Sequence, residues 1–478
     1  MADSEAAPTR ERVHGGRDLT NGPIARTLLL FALPTLGSNV LQSLNGSINA
    51  IWVGRFLGED ALAATSNSNL VMFLMFSAIF GFGLAATILV GQNMGRRDVE
   101  AARRALGTAV GLFAIASTGI SIAGYFASPI ILHALATPAG ALPLAEAYLR
   151  VIFIGLPGSF LLVVLTMGMR GTGDSMTPFR IMILNVALDA GLNPVFILGL
   201  GPAPRMGIAG SATATALAAY LTLTALIVVI YARDLTVRLR GRELRWLIPD
   251  PALLKVIVAK GIPIGLQMFV ISGASLAMIG LVNRQGVDVT AAYGVTLQLW
   301  TYIQMPALAI GAAVSAMAAQ NIGANLWARV DAITRSGILA NLAITGALIL
   351  LVTLVDRPVL ALFLGGDSPA LPIARHIHLI ASWSFLMFGV TMVIFGTVRA
   401  NGSVIAPLVI LFVAMFPIRL GFVFALLPHM GREALWWTMP LGSLASMLMA
   451  LGHYRAGGWR KLHMRTVSPR EAATQVTG

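Results

Sequence analysis

The sequence predicts an all-α integral membrane protein, with twelve transmembrane helices in two six-helix lobes related by a pseudo-two-fold axis along the membrane normal. Three observations predict it. Of 478 residues, 57% are hydrophobic and 11% are charged, against roughly 25% charge in soluble domains. Twelve apolar stretches are long enough to cross a bilayer. Short motifs of the first half recur in the second at a near-constant offset.

Composition sets the class. A chain with so few charges cannot be wetted on all sides, so lipid covers part of it. The absence of cysteine excludes disulfides and thiolate metal sites. Residues 1–25 are polar, and the apolar run that starts near Thr27 has the length of a span rather than of a signal-peptide core.

The twelve stretches cover 27–52, 61–83, 105–127, 149–169, 180–198, 208–231, 262–283, 290–316, 337–355, 377–398, 404–427 and 435–453. With both termini and the loops after the even-numbered spans on one side, that side collects 25 of the 33 Lys and Arg residues. The positive-inside rule makes it cytoplasmic. Arg96, Arg97, Arg103, Arg104, Arg238, Arg240, Arg242 and Arg245 belong to it. The net charge of +13 is thus accounted for by topology and anionic lipid. Scattered over short loops, it makes no nucleic-acid surface.

The domain reading follows. Residues 1–25 form a cytoplasmic tail, 26–232 an N-lobe, 233–260 a charged linker with Pro249 and Pro251, 261–455 a C-lobe and 456–478 a second tail. Gly91-Gln92-Asn93-Met94-Gly95 returns as Ala319-Gln320-Asn321-Ile322-Gly323, and Arg170-Gly171-Thr172-Gly173 as Arg399-Ala400-Asn401-Gly402. Pro34 returns as Pro263. Six spans per half make the repeats parallel, with a substrate path in the cleft between them.

One acid stands apart. Asp189 falls near the middle of span 5, whereas almost all other acids sit in tails, loops or helix ends. An ionised Asp at a helix centre costs about 2.5–3.5 kcal/mol even on translocon scales. It persists if it faces a cavity, finds partners or takes up a proton. Asn185, Asp189 and Asn193 repeat at four-residue spacing along one helix face, and Pro194 frees a carbonyl one turn back. Such a group can load and unload a proton, or bind sodium with neighbouring oxygens. The structural alternative is a polar tie between span 5 and a neighbour.

Span 1 carries a polar stripe of Asn39, Gln42, Asn45 and Asn49, with Pro34 as a kink point. It reads equally as cavity lining or as interhelical glue. Ser211, Thr213 and Thr215 of span 6 read as packing residues. Spans 7 and 8 offer Gln267, Gln298 and Gln304 but no acid, and span 11 carries Arg419 near the repeat position of Asp189. Arg419 could pair with a carboxylate, bind phosphate or snorkel. Gly107 and Gly111 form a G-x-x-x-G, a sign of close helix packing. No nucleophile elbow, P-loop or H-E-x-x-H pair is present. The chain therefore reads as no enzyme, and transport is expected to be driven by an ion gradient unless another subunit supplies the energy.

The string Asp18-Leu19-Thr20-Asn21-Gly22-Pro23-Ile24, then Pro34, Gln42 and Val53-Gly54-Arg55, resembles the opening of MATE (multidrug and toxic compound extrusion) transporters. So do the two Gln-Asn-x-Gly loops, Arg170-Gly171-Thr172-Gly173-Asp174, Leu192-Asn193-Pro194 and Ala291-Ala292-Tyr293-Gly294. The resemblance covers residues 18–455 and implies secondary efflux of cationic or amphipathic drugs in exchange for protons or sodium ions. It implies ion binding at Asp189, Asn185 and Thr215, with Asn49 beside them, and substrate binding at Gln42, with Asn45 and Asn193 on the same faces. Pro34 is the expected bend. No cofactor or resident metal is expected beyond a transient sodium at Asp189, and no partner beyond drug, membrane lipid and a monomeric chain in a bacterial inner membrane.

Two positions depart from the family pattern. Asn49 stands where relatives carry an Asp, and an apolar residue near Ile271 replaces a Glu. One carboxylate favours a proton over sodium. A flippase for lipid-linked saccharides is the rival of the same architecture, but it would line its cleft with several basic residues.

Overall fold

The structure, a computed structural model, describes residues 16–135, 137, 140–201, 203–462 and 464. The outer parts of both expected tails, 1–15 and 465–478, lie outside the described residues. Among those described there is no strand.

The first half runs through α1 (Ile24–Leu57), α2 (Glu59–Gly95), α3 (Val99–Ala134), α4 (Leu142–Gly171), α5 (Met176–Leu198) and α6 (Ile208–Ala232). The second half runs through α7 (Pro251–Asn283), α8 (Val287–Ile303), α9 (Met305–Gly323), α10 (Trp327–Leu354), α11 (Asp356–Leu364), α12 (Ala370–Ala381) and α13 (Ser384–Ala400). It ends with α14 (Ile405–Val413), α15 (Arg419–Met430) and α16 (Glu433–Ala456). Among the described residues, eleven spans are long and apolar enough to cross a membrane, and twelve when the bent pair α12 and α13 counts as one.

The apolar residues explain the helices, and hydrocarbon explains their outer faces. Ile115, Phe126, Ile130, Leu339, Leu350 and Phe424 stand exposed on long helices. Water would penalise that, and a bilayer does not. Several helices outrun the apolar stretches. At about 1.5 Å per residue, α3 exceeds the roughly 30 Å hydrocarbon thickness, and Asp98 caps it by accepting from the Ala101 N–H.

Three irregularities stand where continuous spans were expected. The eighth span breaks between α8 and α9 at Gln304, where Pro306 opens α9. The tenth bends by 44° between α12 and α13. The eleventh passes through a π-helical turn, Ala414–Ile418, containing Pro417. Proline has no N–H to give and its ring crowds the preceding turn, so the ladder widens there.

The halves pack as a two-fold repeat. Helix α2 lies on α7 and α9 lies on α1, while α2 and α9 meet at the axis. At the end holding the described parts of both termini, the repeated Gln-Asn-x-Gly motifs cross over. Gln92 Nε2 donates to the Ala400 carbonyl at 2.6 Å, and Gln320 Nε2 donates to the Gly171 carbonyl at 3.0 Å. A Cβ on Gly95 would stand 1.9 Å from the Gln320 carbonyl oxygen, and one on Gly323 2.0 Å from that of Gln92. Only glycine lets the two chains approach so closely. Leu19 joins the seal: its N–H donates to Gln320 Oε1, and its carbonyl accepts from Asn321 Nδ2. This clasp closes one mouth of the interface.

The connection after α6 is ordered rather than slack, and α7 begins at Pro251, ahead of the expected lobe boundary at 261. A 3-10 helix, Gly241–Leu247, lies along α3. Gly107 and Gly111 take its backbone, not another membrane helix: a Cβ on Gly111 would stand 1.8 Å from the Leu247 carbonyl oxygen. Arg103 donates to the Thr236 carbonyl and pairs with Glu243, and Arg104 pairs with Asp250. Burial alone would push the Asp250 carboxyl up, but the Ala252 and Leu253 N–H donors and Arg104 hold it below the usual carboxylate range. A depressed carboxyl contributes stability above its unfolded-state value, and loses it only as pH falls through the depressed one. The clamp is therefore intact at neutral pH. Gly111→Val must displace the linker, and about 1–3 kcal/mol of destabilisation is expected, read as a lower midpoint in a thermal unfolding assay of the purified protein.

Candidate functional site

Three helices converge on Asp189, which is 1% exposed. Asn45 and Asn49 of α1 donate to its Oδ2 at 2.7 and 2.9 Å. Thr215 of α6 donates to Oδ1 at 3.0 Å. Asn193, one turn along α5, donates to Oδ1 at 3.1 Å and to the Asp189 carbonyl at 2.9 Å. Its amide also reaches Asn49 Oδ1 at 2.9 Å. Four donors fill the acceptor positions of one carboxylate, the pattern of an ionised group that only accepts. Among the described residues no basic group stands within 4.0 Å of it. Its charge is balanced by neutral dipoles alone.

Two amide oxygens of the residues that hold Asp189 remain buried and unpartnered: Asn45 Oδ1 and Asn193 Oδ1. Together with the carboxylate they are hard oxygen donors of the kind that suits an alkali cation.

The sequence-derived residues divide as follows. Asn49 and Thr215 lie on the carboxylate, and so do Asn45 and Asn193, the two expected on the substrate side. Asn185 shares the face of α5 but makes no bond to Asp189. Helical side chains lean toward the N-terminus, so Asn193 leans back onto Asp189 while Asn185 leans away from it. Gln42 is exposed on the same stripe of α1 as Asn45, one turn before it. Pro34 is buried within an α1 that runs unbroken from Ile24 to Leu57. Thr213 bonds back to the Ala209 carbonyl of its own helix. Tyr148 of α4 was not foreseen. It is buried close enough for its phenol to feel the Asp189 charge, and its only signal in the sequence is an aromatic hydroxyl that needs a polar neighbour.

Arg419 does not reach Asp189. It lies in the other half, 6% exposed, against Thr438, Met415 and Tyr293. The carboxylate is thus free of a permanent salt bridge.

A twelve-span helical repeat with a buried polar site in one half and a closed seal at one mouth defines a membrane transporter rather than an enzyme. The MatE family model matches residues 34–195 and 263–425, one block in each half. The chain is 36% identical over 438 residues to the probable multidrug resistance protein YoeA of Bacillus subtilis (strain 168), covering 91% of this chain and 94% of that protein. It is 30% identical to the probable multidrug resistance protein YpnP of the same strain, covering 94% and 99%. A solved structure described as the outward-facing conformation of a multidrug resistance MATE family transporter of the MOP superfamily superposes with a TM-score of 0.85. It covers 94% of this chain and 100% of that one, at 20% identity. The chain belongs to the MATE family of multidrug efflux transporters.

Proposed function

We propose that this transporter exports small organic cations or amphipathic drugs in exchange for protons, and that Asp189 carries the proton. The observation that supports it is a buried carboxylate held by Asn45, Asn49, Asn193 and Thr215 with no cationic partner. Keeping a bare charge inside a membrane protein costs several kcal/mol. The cost is tolerable when a cation visits. Asp189, Asn45, Asn49, Asn193 and Thr215 form the ion site in this reading, and Gln42 faces substrate.

The mechanism follows from the bonds. Asn45 and Asn49 draw α1 onto α5 through Oδ2. A proton on that oxygen turns an acceptor into a donor, and the two amide donors then oppose it. The half of α1 beyond Pro34 loosens from α5, and drug affinity falls. Proton and drug compete, so loading one unloads the other. The basic loops support a cytoplasmic location for both termini, in a bacterial inner membrane. The clasp then seals the cytoplasmic mouth, and the ion site belongs to an outward-facing state.

The unpartnered oxygens of Asn45 and Asn193 favour sodium as a second reading. Reconstituted vesicles decide between them. Efflux of ethidium is expected under a pH gradient without sodium and not under a sodium gradient at constant pH; the reverse result rejects the proton. Asn49→Asp would place a second carboxylate where the first now receives a 2.9 Å bond. It is expected to add a sodium-driven component to efflux, measured in the same vesicles. No sodium dependence in that variant contradicts the charge argument.

A further inference from the structure

The C-lobe holds the opposite charge at nearly the same repeat position. The offset of 229 between Pro34 and Pro263 sets Asp189 opposite Ile418, and Arg419 follows it. The side chain of Arg419 reaches from α15 across the inside of the C-lobe. Its Nε donates to Thr438 Oγ1 at 3.4 Å, and one terminal nitrogen lies 3.8 Å from the Met415 sulfur. The first contact is long and the second involves a weak acceptor. Among the described residues no carboxylate stands within 4.0 Å of it. A guanidinium that is 6% exposed thus lacks any anion.

A second donor in the same cluster also goes unmet. Tyr293 stacks on Trp436 with ring centroids 6.0 Å apart and meets Trp300 edge-on at 6.1 Å. Trp300 is 3% exposed, and its indole N–H has no acceptor. Buried donors are nearly always paired, and an indole N–H can only donate. A planar cation and an unpaired N–H, walled by aromatic rings, ask for an oxyanion with an apolar body. Tyr293 and Thr438 lie in the first two turns of α8 and α16. Both helices begin at the end opposite the clasp, the end at which Thr215 enters the Asp189 site from α6.

We propose that Arg419, Trp300 and Tyr293 form an anion subsite in the C-lobe that takes the carboxylate of an aromatic or amphipathic organic anion or zwitterion. The chain then handles negatively charged cargo groups as well as cations, each in its own lobe. Guanidinium supplies charge and a donor fork, the Trp300 N–H supplies a further donor, and the rings hold the apolar body.

The test uses purified full-length protein in detergent and two fluorescent probes, dansylglycine and its uncharged amide. It needs no ion gradient, so it stands whether or not efflux is proton-driven. Dansylglycine is expected to bind saturably and at least about tenfold more tightly than the amide. Arg419→Met is expected to remove that preference, Arg419→Lys to retain part of it, and Trp300→Phe to weaken dansylglycine binding several-fold without changing the amide. Equal binding of both probes by the unmodified protein, or no saturable dansylglycine binding, overturns the proposal without any variant. So does an undiminished preference in a folded Arg419→Met protein.

Discussion

Asp189→Asn is expected to reduce ethidium efflux to the level of empty vesicles while the protein still elutes as a folded, monodisperse species. The substitution keeps the shape of the side chain and removes its charge. The donors of Asn45, Asn49, Asn193 and Thr215, now 2.7–3.1 Å from carboxylate oxygens, would then face an amide that accepts at one atom and donates at the other. Each hydrogen bond to a charged group is worth about 1.5–3 kcal/mol, so the four bonds weaken substantially. The buried charge and its desolvation cost vanish with them, which offsets much of that loss. Folding survives, and the proton site does not. Drug binding should become insensitive to pH, because nothing in the pocket then competes for the proton. Efflux that persists in the folded variant would remove Asp189 from the mechanism.

Gly95→Val combined with Gly323→Val is expected to prop open the mouth that the clasp seals. Each added Cβ would stand about 2 Å from a carbonyl oxygen of the facing lobe, a separation that real contacts do not reach. The clash is with backbone, so no rotamer change relieves it. The lobes must part at this end, and Gln92–Ala400 and Gln320–Gly171 bonds break together. Single substitutions should act partially, since the motif is reciprocal. The chain has no cysteine, so one cysteine introduced at Met94 gives an uncluttered accessibility probe. Maleimide labelling at that position should rise strongly in the double variant, with transport lost. Unchanged labelling would mean that the clasp is no gate.

Much of this was legible in the residues. The twelve apolar stretches set the spans, because hydrocarbon demands helices with every backbone group satisfied internally. The duplicated Gln-Asn-x-Gly motif revealed the two-fold repeat. It did not reveal that each copy bonds the opposite lobe, since repetition carries symmetry and not contact. Asp189 stood out because an acid in mid-span is rare. The spacing of Asn185, Asp189 and Asn193 brought one neighbour to the carboxylate and not the other, since periodicity names a face and the lean of side chains chooses the partner. Gly107 and Gly111 looked like a helix-packing pair and instead seat the linker, because small residues state that something comes close without stating what. The π-helical turn before Arg419 had a cue in Pro417, but proline alone does not say whether a helix kinks, breaks or widens.

Proton release on drug binding tests the central claim most directly. Purified protein in lightly buffered detergent, held where the site is protonated, is mixed with ethidium and followed with a pH indicator. The account predicts that the unmodified transporter releases protons in proportion to bound drug, and that Asp189→Asn, loaded at the higher drug concentration its weakened site requires, releases none. Equal proton release from both proteins would contradict it.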